Sequence, residues 1–288
     1  MDANVSRQMH QTLEPVHAMV YFAPEGPEEY AAIGLDVPGN RGHAYFPARA
    51  ACMGAVGPEV VLATFFNFSA VAVHFGLSDA WQRASPAEVL AARYRVADRA
   101  LRRLCGPLLD EPGVTEAAEL ALAALPGCRP EGRPLYAATA GVPVPEGPAH
   151  LRLWHALTVL REYRGDGHIA ALTVEGLSGL QAAVLHAATG DLWDPELLRK
   201  TRVYSPEEWA EACEGLQARG WLDGTRGLTD AGRAHRQAVE DRTDLLALGP
   251  WEVLGEDRCR TLRQLVRPLT EAVLAGGGLP TRKPAPTQ

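Results

Sequence analysis

The chain has 288 residues, 47% hydrophobic and 22% charged, with a formal net charge of -7 at neutral pH. This length suits two domains of about 150 residues each and excludes a small disulfide-stapled scaffold. Nucleic-acid-binding domains usually carry a basic surplus, so the acidic balance disfavours a large phosphate-binding surface.

Cysteine usage and hydropathy predict a cytoplasmic protein. The longest apolar runs, such as residues 60–66, fall well short of the roughly 20 residues of a membrane span, and the first residues lack the basic start of a signal peptide. Five scattered cysteines without a C-x-x-C pair suit reduced thiols. They are Cys52, Cys105, Cys128, Cys213 and Cys259.

Helical spacing dominates the first half of the chain. The predicted helices cover residues 5–22, 27–33, 44–54, 58–67 and 86–109. Ser85-Pro86-Ala87-Glu88 provides the start of the last of these, with an N-cap hydroxyl, a proline at the first helical position and a glutamate placed for a capping box.

Proline and glycine mark the predicted boundaries. Residues 126–150 contain six prolines and four glycines and are predicted to link an amino-terminal lobe, residues 1–125, to a carboxy-terminal lobe, residues 151–274. Residues 275–288 have few apolar side chains to offset the entropy of ordering, which predicts a flexible tail.

The second half predicts helices over residues 151–164, 180–188, 205–219 and 229–248. Short strands fit only near residues 221–228, where Asp223-Gly224 is a hairpin-turn dipeptide.

Three short motifs recur in the same order in the two halves. They pair residues 13–18 with 153–156, 42–44 with 167–170, and 85–88 with 205–208. Short matches in an alanine-rich chain also arise by chance, so a diverged internal duplication and coincidence both remain open. A true duplication would place a cleft on the pseudo-twofold axis between the lobes.

The element order of the second half resembles the winged helix-turn-helix domain of MarR-type regulators. The matching residues are Leu216, Gly220, Trp221, Leu222, Leu228, Thr229 and Gly232. The resemblance implies a mainly α protein with two winged-helix-like lobes and a short β-hairpin wing in the second. It implies a fold more firmly than an activity.

Motifs along the whole chain resemble an actinobacterial helix-turn-helix-like family often encoded among antibiotic-biosynthesis genes. They are Leu13-Glu14-Pro15-x-His17, Tyr21-Phe22, residues 45–49 and residues 161–172. This family often has histidine where this chain has Tyr163. The resemblance implies ring closure on an amino-acid intermediate, with aziridine formation by loss of an anionic group as one example.

DNA binding is the alternative that a winged helix suggests. The helix over residues 205–219 would enter the major groove, yet its carboxylates would be repelled by phosphate. Those carboxylates belong to Glu207, Glu208, Glu211 and Glu214. Arg219, the wing residue Arg226 and the basic stretch 199–202 favour DNA, so the alternative stays open.

Three segments carry candidate chemistry. His10, Glu14, His17 and Tyr21 share one face of the first helix, a polar stripe that suits either a cleft or solvent. Around residues 161–168, glycines flank Asp166 and His168 at an expected helix end, where the carboxylate would orient the imidazole for acid–base work; helix capping is the structural alternative.

The third segment, residues 41–49, again places a histidine after a glycine and an arginine beyond it. Arg49 suits an anion site or a helix surface, and Asn67, among phenylalanines, suits a helix cap or a cavity. The predicted catalytic residues are therefore His17, His43, His155, Asp166 and His168. The predicted substrate- and anion-binding residues are Arg49, Arg161, Arg164, Tyr21, Tyr45 and Asn67.

Motifs for nucleotide, flavin and zinc-protease chemistry are absent from the sequence, as is metal-ligand spacing, so neither a cofactor nor a metal is expected. The leading hypothesis is a cofactor-independent lyase or cyclase of bacterial specialised metabolism, with its site between the lobes and a small-molecule or carrier-bound amino-acid substrate. The alternatives are a MarR-like regulator that binds DNA and a pathway metabolite, and a non-catalytic partner of another biosynthetic enzyme. The oligomeric state is left open.

Overall fold

A computed structural model describes residues 1–35, 44–190 and 194–280. Helices make up most of these residues, which confirms the predicted mainly α class. In chain order they are α1 (Asn4–Ala18), α2 (Gly26–Ala31), α3 (Tyr45–Ala50), α4 (Pro58–Phe65), α5 (Ala70–Leu77), α6 (Ala80–Arg83), α7 (Pro86–Cys105), α8 (Pro112–Ala124), α9 (Pro134–Ala140), α10 (Ala149–Val174), α11 (Gly179–Ala187), α12 (Pro195–Arg202), α13 (Pro206–Ala218), α14 (Asp230–Leu246), α15 (Gly249–Leu254) and α16 (Glu256–Ala275).

The largest hydrophobic core draws on helices from both sides of residues 126–150. α10 packs against α1, α8 and α9, while α16 packs against α1 and α8. Trp154 and Leu157 of α10 share this core with Met9, Leu101 and Leu262. The domain boundaries remain a prediction. Helices before and after the segment expected to link the lobes share this one core.

Two smaller cores flank the main one. The first is formed by α3 to α6 with the start of α7, and the second by the end of α10 with α11, α12, α13 and part of α14. The backbone N–H of Ser69 donates to the carbonyl of Arg202 at 3.1 Å, which ties the segment before α5 to the end of α12.

The expected helix end at Arg164 is wrong, because α10 continues to Val174. Gly165 and Gly167 are helical, not capping, residues. At Gly167 an added Cβ would lie 2.7 Å from Arg133 Nη1 and 3.2 Å from Leu246 Cβ. Close packing against α14, rather than a turn, therefore explains this glycine.

The expected β-hairpin wing is also not formed: within the described ranges the segment has one antiparallel bridge, between Leu222 and Leu228, and no strand. Asp223 supplies the reason. Its Oδ1 accepts hydrogen bonds from the backbone N–H groups of Thr225 and Gly227, so the side chain takes donors that a longer ladder would use.

The helix-start signals are confirmed. Ser85 and Ser205 each accept from the N–H three residues on, and the glutamate there bonds back, forming capping boxes. Capping thus accounts for the recurrence of Ser-Pro-x-Glu in both halves without a duplication.

Along the described part of the chain no single helix is long and apolar enough to cross a membrane; α10 and α11 reach that threshold only as a pair bent by 102°.

Candidate functional site

A cavity of about 980 Å³ lies between α1, α3, α5, α10, α12 and α14. Among the described side chains that line it, cationic groups outnumber carboxylates. The cations are Arg161, Arg164, Lys200, Arg202 and Arg236, and the carboxylates are Glu14 and Glu240. Phe22, Phe75 and Leu197 line it and are each about half exposed, so they form its solvent-facing rim. The excess of cations makes the cavity suited to an anionic ligand.

A buried ion cluster of Glu162 with two arginines lies beside the cavity. Glu162 accepts from Nη2 of Arg49 at 3.1 and 3.2 Å and from Nη1 of Arg161 at 2.7 Å. Burial alone would raise the pKa of Glu162, but the charges of Arg161 and Arg49 outweigh it and hold that pKa well below its usual value. Glu162 therefore fixes both arginines. Arg49 Nη1 donates to the phenol oxygen of Tyr45 at 3.0 Å.

Arg164, on the next turn of α10, is likewise paired. Its Nη1 lies 2.7 Å from Oδ1 of the buried Asp244, and its Nη2 lies 3.6 Å from Glu240. The 2.7 Å contact is an ion pair without hydrogen-bond geometry, whereas Arg7 Nε donates a hydrogen bond to Oδ2 of Asp244 at 2.6 Å. These pairs orient Arg164 where it lines the cavity.

Arg202, at the end of α12, differs from these arginines. Its guanidinium lies 4.3 Å from the centre of the Phe68 ring, and its buried Nε lacks a hydrogen-bond partner, as does Nε of Arg49; the difference lies in its ion pairs. No carboxylate within the described ranges forms an ion pair with it. Burial lowers the pKa of Arg202, consistent with a cation that lacks a counter-charge. Such a group favours an anion in the cavity.

His168 lines the cavity in a defined tautomer. Its Nδ1 lies 2.9 Å from Thr243 Oγ1, and that hydroxyl donates to the carbonyl of Val239 at 2.8 Å. Because the threonine proton is already used, the Nδ1 of the neutral imidazole must carry the hydrogen and Nε2 must be the acceptor. Burial, with the charges of Arg236 and Arg164, lowers the pKa of His168 to about 4. At neutral pH it is a neutral imidazole whose Nε2 is available as an acceptor.

A threonine also fixes the tautomer of His17, which lies in the core. Thr158 donates to the carbonyl of Trp154, so His17 Nδ1 donates to Thr158 at 3.0 Å, and its Nε2 accepts from the Tyr21 hydroxyl at 3.0 Å. Arg93 donates to the same hydroxyl at 3.3 Å. Tyr21 lines the cavity, and His17, which is fully buried and does not line it, orients the phenol by this hydrogen bond.

His10 and Glu14 also line the cavity, although they were not among the predicted site residues. Burial, with the charges of Arg164 and Arg161, lowers the pKa of His10 to about 3. Burial raises the pKa of Glu14, whose Oε1 lies 3.6 Å from Arg161. The stripe of His10, Glu14, His17 and Tyr21 in the sequence was the signal, because its shared helix face turns toward the protein interior.

Besides His17 and Arg49, three more predicted site residues do not line this cavity. His155 is buried with its Nδ1 2.6 Å from the Tyr94 hydroxyl, and Asn67 follows α4 beside the start of α11. Asp166 accepts from the N–H of Tyr136 at 2.9 Å and so caps α9. The expected pairing of Asp166 with His168 is not formed, because two residues apart on a continuous helix they point to different sides.

The predicted His43 lies outside the described residues. Across the ranges that are described, no three side chains of histidine, cysteine, aspartate or glutamate are close enough together to hold a metal ion.

A family model described as the Helix-turn-helix family matches residues 6–280. The chain belongs to the Helix-turn-helix family. No curated protein and no solved structure matches it. The match weakly favours a fold like that of DNA-binding regulators. In this helix-turn-helix family protein, however, the four glutamates of α13 that would face a major groove are all exposed, and α12 lines the cavity.

Proposed function

We propose that this helix-turn-helix family protein is a cofactor-independent enzyme of bacterial specialised metabolism that expels an anionic leaving group by elimination, displacement or cyclisation. The observation that carries the proposal is the juxtaposition, in one cavity, of arginines and a neutral histidine whose Nε2 is a proton acceptor. Cations stabilise a departing anion, and the imidazole accepts the proton that the nucleophile releases.

Ring closure on an amino-acid intermediate illustrates the chemistry. The amine nitrogen would attack a neighbouring carbon, the bond from that carbon to the leaving oxygen would break with both electrons, and the N–H proton would pass to Nε2 of His168. Arg161, Arg164 and Arg202 would neutralise the sulfate, phosphate or carboxylate that leaves. The product would be a small ring, such as an aziridine.

The cavity also has room for more than the reacting atoms. About 980 Å³ lies at the upper end of ordinary small-molecule sites, and the rim beyond the arginines is aromatic and aliphatic. This supports an amino-acid intermediate with an extended or carrier-bound portion at the rim.

Anion release tests the proposal directly. We expect the protein to liberate inorganic sulfate or phosphate from the corresponding esters of β-amino alcohols, measured by ion chromatography with mass spectrometry of the ring product. His168→Gln should slow release by about 10²–10⁴-fold, the usual contribution of a general base. His74→Gln is the matched control, because His74 is half exposed and pairs with Glu59.

Equal rates for His168→Gln and the unsubstituted protein would show that His168 is not the base. Sulfate binding in the cavity without turnover of any such ester would count against the enzyme and favour a ligand-binding protein.

A regulator is the second candidate, supported by the family match and by α12, which lines the cavity and directly precedes α13. A metabolite bound against Arg202 would then bias the position of α13. A mobility-shift titration against neighbouring promoters would show steep salt dependence for this function. Because the glutamates on α13 are exposed, we expect no mobility shift.

A further inference from the structure

We propose that Tyr45 is a second proton acceptor of this cavity, one that takes the first proton from a substrate ammonium group. The inference rests on the proposed function, because it assigns a role to an amine substrate. It concerns a residue expected from sequence only to bind the substrate.

The position of Tyr45 is fixed by neighbours on three elements. Its phenol oxygen accepts from Arg49, and Arg49 is held in turn by Glu162, so this donor cannot swing away. The Tyr45 ring lies 5.3 Å from the ring of Phe46 and 5.4 Å from that of Phe68, centre to centre. The side chain lines the cavity, which puts the residue beside a bound ligand.

Charged groups from three helices act on this phenol. The cations are Arg49 from its own helix α3, Arg161 from α10 and Arg202 from α12, which lies on the ring of Phe68, while the anion Glu162 of α10 pairs with Arg49 and Arg161. The uncharged phenol of Tyr21 is also adjacent, with ring centres 5.6 Å apart.

The electrostatic consequence distinguishes Tyr45 from Tyr21, Tyr30 and Tyr204. Burial alone would raise the pKa of Tyr45, but the charges of Arg49, Arg202 and Arg161 outweigh burial and lower that pKa below 10. Burial instead raises the pKa of Tyr21, and raises that of Tyr30 and that of Tyr204 to about 12.

A cyclising primary amine needs two proton acceptors in sequence. The ammonium group first gives a proton to the Tyr45 phenolate, which leaves a neutral amine with a free electron pair and a neutral phenol. The second proton leaves the nitrogen after the new N–C bond forms, and His168 takes it. An anionic group of the substrate bound to Arg202 cancels part of the charge that stabilises the phenolate, so substrate binding itself makes Tyr45 a stronger base.

Ultraviolet titration of phenolate absorbance tests this without a substrate. We expect one tyrosine of the intact protein to ionise below the others, and Tyr45→Phe to remove that component, while the control Tyr204→Phe keeps it. Arg202→Gln should move its midpoint upward by about one to two pH units, the size of losing one nearby charge. Saturating sulfate should move it upward in the unsubstituted protein but much less in Arg202→Gln.

An unchanged low-pH component in Tyr45→Phe would overturn the inference, as would an unmoved midpoint in Arg202→Gln. Circular dichroism checks the fold of both variants, and the Arg202→Gln shift decides the matter if Tyr45→Phe does not fold. Calorimetric titration with sulfate and the ester assay judge the proposed function separately. If the esters turn over normally but Tyr45 ionises with an ordinary midpoint, only this inference is wrong. If Tyr45 ionises with a lowered midpoint but no ester turns over, the proposed enzyme function is wrong.

Discussion

The two walls of the cavity treat positive charge in different ways. On the α10 wall, Arg161 and Arg164 each have a buried acid partner, Glu162 and Asp244 respectively. On the α12 wall, Arg202 rests on an aromatic ring without an ion-pair partner within the described ranges. Paired arginines are held in place but partly neutralised, whereas the unpaired one retains its full charge for a ligand. The α10 wall therefore sets geometry, and the α12 wall supplies attraction.

The largest expected effect is on the stability of the α10 wall. Glu162→Gln would leave Arg49 and Arg161 without their carboxylate in the interior, which we expect to lower the free energy of unfolding by about 3–5 kcal/mol. Urea denaturation measures this change.

The control for this variant is Glu271→Gln, which breaks an exposed pair with Arg267 and should cost about 0.5 kcal/mol or less. Similar losses in the two variants would contradict the distinction between a structural and an exposed ion pair.

Acid should lower the free energy of unfolding through three histidines. The pKa of His155 and that of His168 are lowered to about 4, and that of His10 to about 3, from an ordinary 6.5. Since the unfolded chain binds more protons between these values, stability is fully present above pH 6.5 and falls as the pH drops toward 4. Buried His155 contributes up to about 3 kcal/mol of this loss, and the more exposed His10 contributes less.

Sulfate separates the cavity histidines from the core histidine. Urea denaturation between pH 4 and 7 gives each histidine's share of the acid-induced loss, as the amount by which its Gln variant reduces the fall in the free energy of unfolding. Sulfate should reduce the share of His168. It should leave the share of His155 unchanged, because His155 does not line the cavity. Chloride at equal ionic strength is the control, and an equal sulfate effect on both shares would place His168 outside the anion site.

The smallest change in stability is expected on the α12 wall. Arg202→Gln should alter the free energy of unfolding by less than about 1 kcal/mol, since no ion pair is broken, yet weaken sulfate binding by about tenfold through loss of a charge-assisted contact. Calorimetric titration measures the binding, with Arg260→Gln, at an exposed position of α16, as the matched control. Unchanged sulfate affinity would show that Arg202 does not attract the anion.

Local signals predicted much of the fold. Helix starts at Ser85 and Ser205 were readable because capping depends on residues within one turn. The end of α10 was mispredicted for the opposite reason, because the packing of α14 and α9 against α10 fills the space beside Gly167 and Asp166, where the glycines alone favour a turn. The turn at Asp223-Gly224 does form, but Asp223 takes backbone donors that a longer wing would use.

The sequence by itself determined a mainly helical chain and placed Tyr21, Tyr45, Arg161, Arg164 and His168 among the site candidates, because histidines and arginines beside glycines and aromatics stand out locally. Only the tertiary structure decided which of them share a cavity. It also supplied Thr243 as the partner that fixes the tautomer of His168, and Glu162 as the partner that fixes the arginines. Those partners are distant in the chain or look like ordinary helix residues, and hydrogen bonds and ion pairs depend on distances that folding alone sets.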